Sequence, residues 1–476
     1  MSLKNILVLF LILNALISVT VIILERKKPE KTIAWLLIFI ILPPIGLILY
    51  MFLGRNWKVH KLNKDFSPYV TDLIYQVRSR IEYPEYTPLI SLLAQNSDSP
   101  LFVDNDISIF KNGIEKFASL KSELMLAQHH IHLEYYIVKS DTIGNEIKDI
   151  LIKKALEGVK IRFIIDRVGS IKLAKNYIKD LKAAGVDVVQ YSYFLAPLLR
   201  RINTQINYRN HRKIVVIDGK VGFIGGINIG DEYLGNSRFG YWRDTHLMIK
   251  GDFVLGLQSV FLDDYWAIKK ANNEFLSYDD EFDKYFPQTE SKSSKLIQFA
   301  KSGPDSEYSS ILQCILKMIS MATHHIYITT PYFVPPDSIM DALKMASLGG
   351  IDVRILFPEQ PDHFIVHKAS KTYLEELITC GIKVYMYNKN SFIHAKVLTI
   401  DSKISTVGTA NMDIRSYELN YELNAVIYDE EKTEEIEDIF FEDLKNSTRL
   451  TEDLFKNSSI INKSIEAMCR VFSSLL

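Results

Sequence analysis

Two short runs in the chain carry the residue types that phosphate chemistry needs. One is His211-x-Lys213-x4-Asp218 and the other is His394-x-Lys396-x4-Asp401. Each opens a β-rich run. Each is followed by a small-residue turn ending in asparagine, Gly225-Gly226-Ile227-Asn228 and Gly408-Thr409-Ala410-Asn411. On a strand, residues i and i+2 point to one side, so His211 shares a face with Lys213 and His394 with Lys396. A twofold arrangement of the two runs would bring both pairs to a single cleft.

Such a cleft suits a phosphodiester. Lys213 and Lys396, with the amides of Asn228 and Asn411, would surround the non-bridging oxygens and stabilise the charge that builds on them. One neutral imidazole can attack phosphorus and form a phosphohistidine. The other, protonated, can hand a proton to the leaving alkoxide and then take one from the incoming alcohol. This chemistry needs no metal and no cofactor. A carboxylate should hold each imidazole in one tautomer. Asp244 in "WRDTH" and Glu422 in "LNYELN" are the candidates, each about 30 residues after its pair. Asp218 and Asp401 complete the catalytic motif. They lie on the opposite parity from the histidines, beside turns, and are expected to support the site rather than transfer protons.

The elements that must position these residues occur twice. "AQHHIHLEYYIV" (127–138) matches "ATHHIYITTPYFV" (322–334), and "EGVKIRFIIDRVG" (157–169) matches "GGIDVRILFPEQ" (349–360). "AAGVDVVQYS" (183–192) matches "TCGIKVYMYN" (379–388), and the two histidine runs close each copy. A repeat this long predicts a fused pair of like domains. Helical patterns alternate with short β-rich runs, so each copy is expected to be an α/β unit, a sheet flanked by helices. The expected division is an anchor at 1–58, a linker at 59–99, a first domain at 100–270, a connection at 271–294 and a second domain at 295–476. From Tyr191 to His211 there are 20 steps, against seven from Tyr387 to His394. The extra piece, 192–210, is apolar with three arginines. Both a membrane-touching segment and an ordinary buried loop remain open for it.

Ile6 to Leu24 and Ile33 to Leu53 are 19 and 21 residues without a charge. Each is close to the ~20 residues a bilayer-crossing helix needs, with a short charged loop between them. Two transmembrane helices are therefore expected, in preference to a cleaved leader. The lysines and arginines lean slightly towards a cytoplasmic catalytic region. The chain has 476 residues, 47% of them hydrophobic, and a formal charge of −1. That balance argues against a nucleic-acid partner. Three scattered cysteines supply no disulfide framework or cysteine-rich metal site. His129-His130 and His324-His325 read as strand entries. His363 and His367 lack the glutamate of a zinc helix, so no metal site is expected there. "PYFVPP" (331–336) reads equally as a cleft wall, through Tyr332 and Phe333, or as a rigid loop. The acidic run from Asp429 reads as a helix start.

The doubled motif with its trailing Gly/Asn turns resembles the phospholipase D superfamily. With the paired apolar stretches, nearly the whole chain resembles the bacterial cardiolipin synthase family. That resemblance implies two tandem phospholipase D-like domains in a pseudo-twofold pair, preceded by two transmembrane helices. It implies a multi-pass protein of the cell membrane whose substrates are phosphatidylglycerol and membrane lipids. The reaction it implies is transphosphatidylation, in which two phosphatidylglycerols give cardiolipin and glycerol. His211 is then the nucleophile and His394 the acid/base. A membrane phospholipase D that releases phosphatidic acid would use the same residues, and a tethered nuclease or phosphodiesterase is a third possibility.

Overall fold

The computed structural model describes residues 5, 12, 16, 20, 29–42, 45–46, 49–50, 85–191, 208–271, 282–288, 291, 293–388, 390–453 and 459–473. The chain divides into two compact units, Met1–Lys61 with Ser192–Tyr208, and Leu62–Tyr191 with Arg209–Leu476. In the first unit a helix runs over Pro29–Ile41, and Trp35, Phe39 and Tyr50 pack their rings together. Among the described residues no helix is long and apolar enough to cross a membrane. The expected span at 6–24 lies largely outside the described residues, as does the insertion at 192–210. Of the expected span at 33–53, residues 33–42, 45–46 and 49–50 are described, and its first part falls in the helix Pro29–Ile41.

The second unit is built on runs of branched and aromatic residues that alternate with capped helices. Its first copy contributes β1 (Asn105–Phe110), β2 (His130–Tyr135), β3 (Lys160–Asp166), β4 (Asp187–Tyr191), β5 (Arg209–Asn210), β6 (Lys213–Ile217), β7 (Val221–Gly225), β8 (Tyr241–Arg243) and β9 (His246–Gly251). The second contributes β10 (Leu296–Ser302), β11 (His325–Thr329), β12 (Phe333–Val334), β13 (Asp352–Pro358), β14 (Lys383–Tyr387) and β15 (Ser391–Ile393). It continues with β16 (Val397–Ile400), β17 (Ile404–Gly408), β18 (Met412–Asp413), β19 (Asn420–Tyr428) and β20 (Ser447–Arg449).

The two main sheets run β1-β9-β7-β6-β2-β3-β4 and β10-β19-β17-β16-β11-β13-β14-β20. Apart from β20 the order is the same, so the repeat seen in the sequence is a repeat of topology. In each copy three strands are parallel, β2-β3-β4 and β11-β13-β14, and the rest of the path is antiparallel. Helices connect the parallel strands, as such crossovers require. Asn112 caps Gly113–Leu126 by accepting the Glu115 N–H at 2.8 Å, and Asp141 caps Thr142–Leu156 through Gly144 at 3.1 Å. Asp429 caps Glu430–Lys445 through the Lys432 N–H, which explains the acidic run. Side-chain parity then sorts the layers. On β2, Ile131, Leu133 and Tyr135 join the core under the connecting helices. His130 and His132 turn the other way, onto Gln258 of the helix Phe253–Ala271.

Two devices tie the copies together. β5 pairs in parallel with β19, and β8 with β15, so each copy lends a short strand to the other. The stretch expected as a linker also holds a helix, Thr87–Asn96. Leu89 and Leu93, one turn apart, are buried in the core of the second copy beside Ile315 and Met318. The chain therefore contributes to its second sheet's core before it has built its first sheet.

Candidate active site

The two lent strands set the site. Because β5 pairs with β19, the His211 N–H donates to Tyr421 O at 2.9 Å, and the next residue after Tyr421 is Glu422. Because β8 pairs with β15, the His394 N–H donates to Arg243 O at 2.7 Å, and the next residue is Asp244. Each imidazole thus meets a carboxylate from the other copy. His211 Nδ1 lies 2.9 Å from Glu422 Oε2, and His394 Nδ1 lies 2.7 Å from Asp244 Oδ2. Both carboxylates are fully buried. With Nδ1 held, Nε2 is the nitrogen of each ring left to react.

The lysines sit beside their histidines as i and i+2 dictate. Lys213 Nζ donates to His211 O at 2.7 Å and lies 5.5 Å from the centre of the Tyr136 ring. Lys396 Nζ donates to His394 O and approaches His394 Nδ1 to 2.8 Å. The pairs share one electrostatic site. Burial pulls Lys213 down to about 7, and Lys396 adds to the fall while Glu422 and Asp244 oppose it. Burial pulls Lys396 down to about 8 against the same two carboxylates. His211 is lowered to about 4, chiefly by burial, with Glu422 opposing and both lysines assisting. His394 is lowered by burial and then by Lys396. Burial works to raise Glu422, but His211 and Lys213 hold it below its ordinary range. At neutral pH the resting site therefore holds neutral imidazoles and ionised Glu422.

The asparagines differ. Asn228 is engaged at both ends, accepting from the Ile137 N–H at 3.1 Å and donating to the Tyr233 hydroxyl at 3.2 Å. Asn411 Oδ1 is buried without a hydrogen-bond partner, which leaves a polar end aimed at nothing the protein supplies. Asp218 and Asp401 stand at the far ends of β6 and β16, away from the imidazoles. Asp218 accepts the backbone N–H groups of Gln128, His129 and His130 at 2.7–2.9 Å. Asp401 accepts those of Thr323, His324 and His325 at 2.7–2.8 Å. Both take positive φ, 54° and 53°, which short acidic side chains tolerate in turns. Seven residues of strand separate each from its histidine, about 20 Å at strand rise. Neither touches the reacting atoms.

The strand-entry histidines are structural. His130 bonds Gln258, and His325 bonds Glu437 at 2.9 Å. His367 meets Pro358 O at 3.1 Å while His363 is exposed, so the two do not converge. Tyr332 does reach the cleft: its hydroxyl donates to Asp362, whose charge is felt by His394 and Lys396. Phe333 is buried in the core.

Several neighbours escaped sequence reasoning. Tyr136 sets its ring edge-on to His211 at 4.8 Å, and Trp242 lies 5.5 Å from His394. Thr409 Oγ1 donates to Glu422 Oε2 at 2.5 Å, and Asn420 Nδ2 to Oε1 at 3.1 Å. The position matching Thr409 in the first copy is Gly226, where any Cβ would run into the Asp244 carboxylate. Overlaying the two Gly/Asn turns residue by residue would have singled out this Gly/Thr exchange. No sequence pattern marks Tyr136 or Trp242.

Comparison with known proteins adds the following. A family model described as "Cardiolipin synthase, PLD-like domain" matches residues 120–239 and 315–444. A second, described as "Phospholipase_D-nuclease N-terminal", matches residues 7–55. A cardiolipin synthase from Geobacillus thermodenitrificans is 41% identical over 468 residues, 96% of this chain and 91% of that one. One from Listeria monocytogenes serotype 4b is 40% identical over 491 residues, 100% of this chain and 99% of that one. The crystal structure of phosphatidylserine synthase from Haemophilus influenzae Rd KW20 is 14% identical. It covers 82% of this chain and 98% of that one with a TM-score of 0.62, a likeness of fold.

Proposed function

The chain belongs to the bacterial cardiolipin synthases of the phospholipase D superfamily and is a phospholipid phosphatidyltransferase, and on that footing we propose how its residues carry the reaction. His211 Nε2 attacks the phosphorus of one phosphatidylglycerol. The bond to the glycerol oxygen breaks, and His394 Nε2 gives that oxygen its proton. A phosphatidyl group is then held on His211. The free hydroxyl of a second phosphatidylglycerol gives its proton to His394 and attacks phosphorus, releasing His211 and forming cardiolipin. Lys213, Lys396 and the Nδ2 amide of Asn411 donate to the non-bridging oxygens.

The observation that carries this reading is the crossed pair of histidine–carboxylate couples with a lysine beside each histidine. Low resting values suit a nucleophile that must be neutral. Arrival of the anionic diester offsets Lys396 and favours the protonated form of His394. Asp244 and Glu422 orient the rings, and Asp218 and Asp401 brace the strand ends.

Two N-terminal spans at 6–24 and 33–53 hold the chain in the cell membrane as a multi-pass protein, with the catalytic region on the cytoplasmic side. Two charge-free stretches and the family match over 7–55 support this. The test of function is a product assay. Full-length protein in liposomes with EDTA is given phosphatidylglycerol, and lipids and free glycerol are measured. Cardiolipin with matching glycerol is expected. Phosphatidic acid instead would make the enzyme a hydrolase, and no lipid turnover would reopen a nuclease reading.

A further inference from the structure

We propose that the mouth of the cleft has two apolar lips and a flanking C-terminal helix that seat it on an anionic bilayer surface. The inference rests on the reading that the substrate is drawn from a membrane. β3 and β13 are equivalent strands, and the loops after them rise on the catalytic edge. The first loop is tied to the site through Asp166, which accepts the N–H of Asn210, the neighbour of His211, at 3.0 Å. The second is tied through Asp362 to Tyr332. Each ends in apolar side chains facing solvent: Ile171 is 78% exposed in the first, and Phe364 is 57% exposed just past the second.

Behind the second lip lies the helix Ile460–Ser473. It runs alongside Phe364–Ile378, joined by Lys368–Glu466 at 3.1 Å and Arg470–Glu376 at 2.9 Å. Cys469 is buried against the body, but Ile461 (69% exposed) and Met468 (63% exposed) face solvent with Ile460 and Val471. Helical spacing puts these four on one stripe. The helix runs parallel to Phe364–Ile378, so its N-terminal end, with Ile460 and Ile461, lies at the catalytic edge, and Met468 and Val471 lie further from it. Arg167, Lys172 and Lys175 surround Ile171, are exposed, and form no ion pair among the described residues. They give the first lip a positive rim, which complements an anionic headgroup layer rather than a second copy of an equally basic lip. Ile171, Phe364, Ile460 and Ile461 thus sit at the catalytic edge, where a diacyl substrate must pass.

The test uses the full chain in vesicles, with Cys380→Ser to remove the half-exposed native thiol. An environment-sensitive fluorophore is placed on Ile171→Cys, on Ile461→Cys, or on Leu156→Cys. Leu156 is 74% exposed at the opposite ends of the strands and serves as the control. Vesicles contain phosphatidylglycerol with brominated acyl chains. At least twofold quenching at 171 and 461, with none at 156, is expected. Cardiolipin formation is followed in the same samples. Unquenched labels at 171 and 461 in samples that make cardiolipin would overturn the seating while leaving the function intact; absence of product would instead strike the functional reading. Disulfide-linked dimers through Ile461→Cys would show that a second copy covers the stripe and would also overturn it. Ile171→Asp with Ile461→Asp should lower turnover on vesicles at least fivefold and leave turnover of dispersed short-chain phosphatidylglycerol unchanged. Equal loss on both substrates would count against the proposal.

Discussion

At the scale of residues, the site is a set of buried charges whose balance sets the working pH. His211→Ala and His394→Ala should each reduce turnover at least about 10³-fold, the scale of losing a nucleophile or a general acid, with circular dichroism and melting unchanged. Near-normal turnover in either would remove the shared-cleft mechanism. Lys213, lowered to about 7, and Lys396, lowered to about 8, are neutral above those values, where an ordinary lysine at 10.5 keeps its charge. The free enzyme therefore loses its phosphate-binding charge as pH rises, and kcat/KM should fall along an alkaline limb between about 7 and 8. Lys213→Arg keeps its charge throughout this range, so it should weaken that limb. A profile identical to the parent's would separate the limb from Lys213. Gly226→Ala should push Asp244 off His394 and reduce turnover at least tenfold. An unaffected Gly226→Ala enzyme would show that Asp244 can yield without releasing the ring. The histidines, lysines and carboxylates were all legible in the sequence. Which carboxylate meets which histidine was not, because that contact bridges about 150 or 210 positions and no local spacing encodes it.

At the scale of elements, the doubled motif is a strand with chemistry at one end and a brace at the other. Asp218 gathers three backbone N–H groups from the entry to β2 and so fixes the register between β2 and β6. Asp218→Asn keeps the turn conformation but loses part of that acceptor set, at a cost of about 1–3 kcal/mol. Urea unfolding should show the loss, while turnover of the folded fraction stays within several-fold of the parent. A fully stable Asp218→Asn protein with no activity would refute this role. The repeat made these strands readable, since two copies of one pattern confirm each other's boundaries. The lent strands β5 and β8 are two and three residues long, too short to leave any periodicity. The aromatic groups around the histidines, Tyr136 and Trp242, follow from tertiary packing alone.

At the scale of the whole second unit, the two copies are not separable modules. Thr87–Asn96 precedes the first sheet in sequence yet packs in the core of the second copy. Leu93→Ala should therefore cost about 2–5 kcal/mol, and protection against hydrogen exchange should fall in β10 and in the helix Ser310–Met321. Loss of protection confined to the first sheet would contradict this packing. The sequence reading placed this helix in a linker because two buried leucines in ten residues look no different from a connector. The crossed strands also make the two copies depend on each other for the site. A single copy holds a histidine and a carboxylate that never meet each other, so alone it has neither couple complete. Two identical copies facing each other would have both. Separating the two copies would therefore break both couples at once, leaving Glu422 with Thr409 and Asp244 with Gly226 in halves that lack their histidine partners.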